Sequence, residues 1–262
     1  MDIHSEIPDI LYKYRNWDDS YHRRVLTDNE LFLSSADLFN DPFDASLPIQ
    51  YPKEKLTKEN IIKKLIEVDR PKYRGIDDDK RLKIANERFL ECDYSSDEYW
   101  RDVNSRFKKR DPIYGICSLT SKKDNLLMWA HYADSHRGIC IGFDSSQLSA
   151  SAHRIIEKVN YSDCFPKIKM FDEGYESWGS LITTKSKLWE YEDEYRITKI
   201  YGARKLFKIN DLAFKEIVFG CKISQKHREE IISIAKSKDS IIKLYDCVTD
   251  DREFKLNLVE IK

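Results

Sequence analysis

The residues best suited to chemistry fall in four short segments, and the most charged is Trp189-Glu190-Tyr191-Glu192-Asp193-Glu194-Tyr195-Arg196. Glu190, Glu192 and Glu194 alternate along it. If the segment opens a strand, the three carboxylates project from one side while Tyr191, Asp193 and Tyr195 face the other. Like charges so placed repel one another. The row is then either a solvated edge partnered by Arg196 and nearby lysines, or a site that needs concentrated negative charge to hold a cationic transition state or a metal.

The second segment, from Ser118 to Phe143, contains Met128-Trp129-Ala130-His131-Tyr132 and then His136 and Gly138. On a helix, Met128, His131 and Tyr132 share a face and Trp129 points elsewhere. Trp129 is therefore expected in the core. His131 and Tyr132 can hydrogen-bond within the core or stack on a ligand. His131 and His136 are five residues apart, off one helical face, so zinc is discounted and no metal is expected. The remaining segments are Tyr12-Lys13-Tyr14-Arg15 and Phe39-Asn40-Asp41-Pro42-Phe43-Asp44. Asn40-Asp41-Pro42 is a turn signature. Asp44 follows Phe43, expected to be buried, and could pair with Arg15 or Arg196.

Short strands and helices must position these residues. Leu11–Tyr14, Leu31–Ser34, IYGICSL from Ile113, GICIGF, IIEKVNY and EYRITKIY suit strands, being β-branched or aromatic and bounded by Gly, Asp or Ser. A helix is predicted from about Gly174 to Trp189. The chain then reads strand (FKEIVFG), helix capped by Ser224, strand (IIKLYDCV) and strand (FKLNLVEI). Between residues 53 and 110 the character is helical. Thr57 can cap a helix burying Ile61, Ile62, Leu65 and Ile66, a second buries Leu82, Ile84, Ala85, Phe89 and Leu90, and Ser96 can cap a third carrying Tyr99, Trp100, Val103 and Phe107. The expected fold class is α+β: one domain over 1–262 with a mixed, mainly antiparallel sheet core, a helical insert or lid at 53–110, and a C-terminal β-α-β-β unit.

Composition narrows the function classes. The 262 residues carry 45 Lys+Arg against 46 Asp+Glu, a formal charge of -1, which removes the broad positive field of non-specific DNA binding. Mean hydropathy is -0.63, and no apolar run approaches the roughly 20 residues of a membrane span. The start, MDIHSEIPDILYKYR, lacks the basic and then apolar pattern of a signal peptide, so a cytoplasmic location is expected. Six cysteines without a C-x-x-C pair argue against a disulfide scaffold or a structural zinc site.

LYKYR, LFNDPFD, SLTSKKDNLLMWAHYADSHRGICIGF and WEYEDEYRI together resemble the bacterial family catalogued as domain of unknown function number twenty-nine seventy-one. That resemblance implies a soluble bacterial protein, with a genomic association to mobile elements and phage defence and no stated chemistry. A second resemblance is to the ADP-ribosyltransferase fold. It implies a first-strand Arg15 (or Tyr14), a middle motif Ser118-Leu119-Thr120 (or Tyr132) and a late Glu192-x-Glu194. Lys13 stands where related sequences often carry His.

On that resemblance the chain would consume NAD as an ADP-ribosyltransferase or glycohydrolase. Glu194, then Glu192, would stabilise the oxocarbenium-like ribose. Arg15 would hold the pyrophosphate, with Tyr14, Thr120 and His131 in the same pocket. Tyr132 would stack on nicotinamide, and Ser118 would steady the ribose or the glutamate. The partner is then a small-molecule nucleotide, with an acceptor protein or nucleic acid unspecified and no membrane. Asn40, Asp41, Asp44, Trp129, His136 and Arg196 form an outer candidate set. Two alternatives stand beside this: a non-catalytic binding or sensor protein on the same fold, and a magnesium nuclease built on Asp41, Asp44, Glu192 and Glu194 with Lys199 nearby.

Overall fold

The computed structural model describes residues 7–48, 52–69, 75–108, 113–154, 156–167 and 175–261. The chain divides into two compact units. The first comprises Met1–Asn40, Pro112–Tyr161 and Lys185–Lys262, and the second Asp41–Asp111 and Ser162–Thr184.

The first unit opens with strand β1 (Ile10–Arg15), helix α1 (Ser20–Thr27) and strand β2 (Glu30–Leu33). Asp19 starts α1 by accepting hydrogen bonds from the Tyr21 and His22 amides at 2.8 and 3.3 Å. The second unit contributes α2 (Lys58–Asp69), α3 (Asp78–Leu90) and α4 (Asp97–Lys108). Thr57 and Ser96 cap as their sequence positions predict, accepting from the Asn60 and Tyr99 amides. Ile61, Ile62 and Ala85 are buried. The predicted stripe of α3 is only half right, because Leu82 and Leu90 are exposed. Burial on α3 centres on Ala85 and Phe89, with Phe89 stacked on Tyr94, and this turns Leu90 outward.

The chain continues through β3 (Tyr114–Thr120), α5 (Leu126–Tyr132), β4 (Ile139–Asp144), α6 (Ser145–Ala152), β5 (Ile156–Lys158), β6 (Asn160–Ser162), α7 (Tyr175–Thr183) and β7 (Thr184–Ser186). After a 3-10 helix at Lys187–Glu192 come β8 (Glu194–Ile200), β9 (Lys205–Lys208), β10 (Phe214–Phe219), α8 (Gln225–Lys236), β11 (Lys243–Thr249) and β12 (Leu256–Glu260). Two predicted elements are corrected. The run expected as one strand at IIEKVNY is split into β5 and β6, with the Val159 amide bonded to the Glu194 carbonyl at 2.9 Å. The helix predicted to reach Trp189 ends at Thr183, and its predicted start at Gly174 lies outside the described residues.

Eight strands form one sheet in the order β12-β11-β10-β4-β1-β3-β8-β5. Among the described residues only β10 and β11 pair in parallel, joined by α8 as a β-α-β crossover, so the sheet is mixed and mostly antiparallel. β2 and β9 form a separate two-stranded sheet. Alternation gives the main sheet two packed faces. One buries Leu11, Cys117, Leu119, Ile141, Ile197 and Ile217 with residues of α1, α6 and α8. The other buries Tyr12, Tyr14, Cys140, Val218 and Cys247 with Met128 and Trp129 of α5. Among the described residues no helix is long and apolar enough to cross a membrane.

Candidate functional site

The alternating carboxylates do not form a strand row. Ser186 caps the 3-10 helix Lys187–Glu192, accepting from the Leu188 amide at 3.4 Å, and Asp193 ends it in the left-handed region at φ 41°. β8 begins only at Glu194, so Glu190 points to solvent from the helix while Glu192 turns inward. A compact turn relieves the like-charge repulsion that a strand would impose.

Glu192 and Glu194 meet at Lys185 of β7. Lys185 Nζ donates to Glu192 Oε2 at 2.5 Å and to Glu194 Oε2 at 3.0 Å. Arg196, two residues along β8 on the same face, adds a two-pronged contact through Nε at 2.7 Å and a terminal nitrogen at 3.0 Å. The Tyr132 hydroxyl, at the end of α5, donates to Glu192 Oε1 at 2.6 Å. The Glu194 amide donates to the Tyr161 hydroxyl oxygen at 2.8 Å, and Thr120 donates to the Glu192 carbonyl at 2.5 Å. The Trp189 ring lies 5.1 Å from Lys185 Nζ. Lys185, Glu192, Glu194 and Arg196 are all at least nine-tenths buried.

Their electrostatics diverge. Burial raises the Glu192 carboxyl above the usual range, and Lys185 and Tyr132 only partly offset it. Burial acts on Glu194 as well, but Arg196 and Lys185 outweigh it, with help from the Ser118 hydroxyl, and hold that carboxyl at about 2. The Tyr132 hydroxyl is pushed up by burial and by Glu192. Two neighbouring carboxylates sharing one lysine are thus driven in opposite directions.

The other predicted residues divide clearly. Trp129 is core: fully buried, its Nε1 donates to the Lys123 carbonyl at 3.0 Å and its ring meets Tyr14 edge-on. Tyr14 is core too, donating to the Lys122 carbonyl at 2.9 Å, which removes it from a cofactor pocket. His131 is exposed, its ring 6.5 Å from that of Tyr191. His136 stacks on Trp129 at the end of three consecutive left-handed residues, Asp134, Ser135 and His136. Asp41 makes the predicted turn, accepting from the Phe43 amide at 2.9 Å, and Asn40 is exposed beside it. Phe43 is 50% exposed, not buried, and packs on Phe165, while Asp44 is buried. Arg196 pairs with Glu194.

Arg15 is the main correction. Strand alternation puts Tyr12 and Tyr14 on the α5 face with Glu194, and Lys13 and Arg15 on the opposite face against Cys117, Ile139 and Ile141. Arg15 therefore does not join Tyr132 and Glu194. Lys185 and Tyr161 are contributors the sequence pattern did not mark. A further polar group also went unmarked: Glu216 accepts from Tyr12 at 3.0 Å and from Lys123 at 2.8 Å, and lines a cleft of about 460 Å³ with Asp144, Lys215 and Lys243. Among the described residues, no three His, Cys, Asp or Glu side chains come together in a way that could hold a metal ion. Of the four carboxylates considered for magnesium, Asp41 and Asp44 belong to the second unit and Glu192 and Glu194 to the first.

Residues 128–197 match the family model described as Protein of unknown function (DUF2971). Over that segment the match supports the first resemblance read from the sequence, and it spans Tyr132, Lys185, Glu192, Glu194 and Arg196. No curated protein and no solved structure matches the chain.

Proposed function

We propose that this chain is an NAD-consuming glycosyl-transfer enzyme of ADP-ribosyltransferase or glycohydrolase type, centred on Glu192 and Glu194. The observation that carries the reading is that the two carboxyls, both bonded to Lys185, are pushed in opposite directions. Cleaving NAD expels nicotinamide as a neutral base, so the leaving group needs no proton. The step needs one carboxylate that stays ionised against the developing oxocarbenium ion and one group that takes the proton of the attacking water or acceptor hydroxyl. Pairs pushed apart in this way mark such divided roles. Glu194 is the ionised stabiliser. Of about four acceptor positions on a carboxylate, its bonds to Arg196 and Lys185 occupy three and the Ser118 hydroxyl takes the fourth, so a ribose hydroxyl would bind by displacing Ser118. Glu192, accepting from Tyr132 and Lys185, is the base that takes the acceptor's proton. The 3-10 segment carrying Trp189 and Tyr191 supplies the aromatic wall for the nicotinamide and opens about Asp193 to admit it.

A second reading is favoured by the saturation of the network. If Arg196 and Lys185 fully engage Glu194, the site is a ligand-binding or sensor module whose aromatics take the nucleotide and whose carboxylates are structural. Incubating the purified chain with NAD separates the two. Release of nicotinamide without added magnesium is expected for the enzyme, and saturable binding without release for the sensor. Nucleic-acid hydrolysis abolished by EDTA, with NAD untouched, would contradict both.

A further inference from the structure

Lys243, Glu216, Gly142 and Tyr12 are partners in one row across β11, β10, β4 and β1. Glycine leaves a notch in that row, since a Cβ on Gly142 would lie 2.8 Å from Tyr12 Cε1 and 3.1 Å from Glu216 Cβ. The Tyr12 ring crosses the notch, and its hydroxyl donates to Glu216 Oε2 at 3.0 Å. Burial, and then Glu216, push this hydroxyl above its ordinary range, so it keeps its proton for that bond. Lys123 Nζ donates to the same oxygen at 2.8 Å, lying 5.5 Å from the centre of the Tyr12 ring and 5.0 Å from that of Tyr245. Both bonds thus fall on Oε2. Glu216 is only 8% exposed, yet its Oε1 has no hydrogen-bond partner among the described residues and is not sealed from solvent. Of about four acceptor positions on the carboxylate, the two on Oε1 stay open.

The cleft of about 460 Å³ that Glu216 lines is of a size that takes small molecules. Its other charges are partly spent. Asp144 caps α6, accepting from the Gln147 amide at 3.0 Å and the Ser146 hydroxyl at 2.6 Å, and lies 3.7 Å from Lys215. The exposed Asp9 carboxylate and Lys243 Nζ are unpaired among the described residues. Lys243 stands directly beside Glu216 in the sheet and still forms no ion pair with it. We infer that the cleft binds a small zwitterion of the amino-acid type with an aliphatic side chain, its ammonium on Glu216 Oε1 and its carboxylate on Lys243. Asp9 adds a second open carboxylate, which favours a ligand with a cationic end over a simple anion. The aliphatic side chain covers Ile10 and Ile241, of which Ile241 is 94% exposed. The site uses none of the residues of the glycosyl-transfer reading and does not depend on it.

Titrating the full-length chain with leucine, with isoamylamine, which lacks the carboxylate, and with isocaproate, which lacks the ammonium, tests it. Saturable heat is expected with leucine, and a rise in melting temperature of about 5 °C or more at a hundredfold excess over Kd. Isoamylamine should bind more weakly, on the order of tenfold, and isocaproate should not bind. Glu216→Gln should weaken leucine and isoamylamine alike, on the order of tenfold or more, whereas Lys243→Gln should weaken leucine alone. Lys243 is exposed and unpaired, so that variant keeps the fold should Glu216→Gln lose it. A purely structural Glu216 would instead lower the melting temperature on substitution by Gln and leave leucine binding unchanged. That result, isocaproate bound as tightly as leucine, leucine affinity unchanged by Lys243→Gln, or no saturable binding of leucine to the folded wild type overturns the assignment.

Discussion

The two faces of the central strands treat buried charge in opposite ways. On the α5 face, Lys185, Arg196, Glu192 and Glu194 sum to zero and every group has a partner within 3.0 Å. On the α1 face, Lys13 and Arg15 lie among aliphatic side chains and Cys117, bonded to backbone carbonyls and in no salt bridge among the described residues. Burial lowers Lys13 to about 8 and Arg15 to about 10, whereas paired Glu194 is held at about 2. A closed network can be as buried as it likes because each charge replaces water with an opposite charge. An open cluster retains its desolvation penalty.

The contrast breaks first at Glu194. Glu194→Gln leaves Arg196 and Lys185 short of their anion, and a stability loss of about 3–5 kcal/mol is expected by urea denaturation. The pH profile sharpens this. A depressed carboxylate contributes stability that is present above its ordinary value of 4.5 and lost as pH falls toward about 2, so acid should destabilise the wild type more steeply than the variant across that window. Glu192, being raised, acts in the other direction and gives up stability as pH climbs above 4.5.

Smaller effects follow. Tyr132→Phe removes a hydrogen bond to a charged acceptor and should cost about 1.5–3 kcal/mol. Glu192→Gln keeps most of its hydrogen bonding and sheds a desolvated charge, so about 1 kcal/mol or less is expected, well below Glu194→Gln. The open face gives a signal in pH. Lys13 is depressed from 10.5 to about 8, so the folded state binds fewer protons than the unfolded chain between those values and stability should rise with pH across that window. Its slope is at most about 1.4 kcal/mol per pH unit, less after solvent screening, and Lys13→Met should abolish it. Cys117 and Arg15 share its face, and Glu194 acts on it from the other face of the sheet.

Most of this architecture was legible in the residues. Caps at Thr57, Ser96 and Ser224 and the strands from Tyr114 onward were readable because side-chain caps and β-branched runs act locally. The misreading at Glu190–Glu194 has a physical cause: alternating charge and aromatic side chains imitate a strand period, while Ser186 as cap and Asp193 in a left-handed turn impose a 3-10 helix. Glu194, Glu192, Arg196 and Tyr132 were singled out by residue type, and they meet in one network. Lys185 was not, because a single lysine in Thr-Thr-Lys-Ser has no local mark, and only the chain's return beside β8 makes it the hub. Arg15 was assigned to the wrong face although strand alternation alone separates it from Tyr14.

The most direct test of the central claim is nicotinamide release from NAD by wild type and Glu194→Gln, with the melting temperature of each measured on the same preparations. The account predicts release by the wild type, and a loss on the order of a hundredfold or more in the variant that far exceeds the fraction unfolded at the assay temperature. Activity falling only in proportion to lost folded protein, or wild-type protein that binds NAD and never cleaves it, would contradict it.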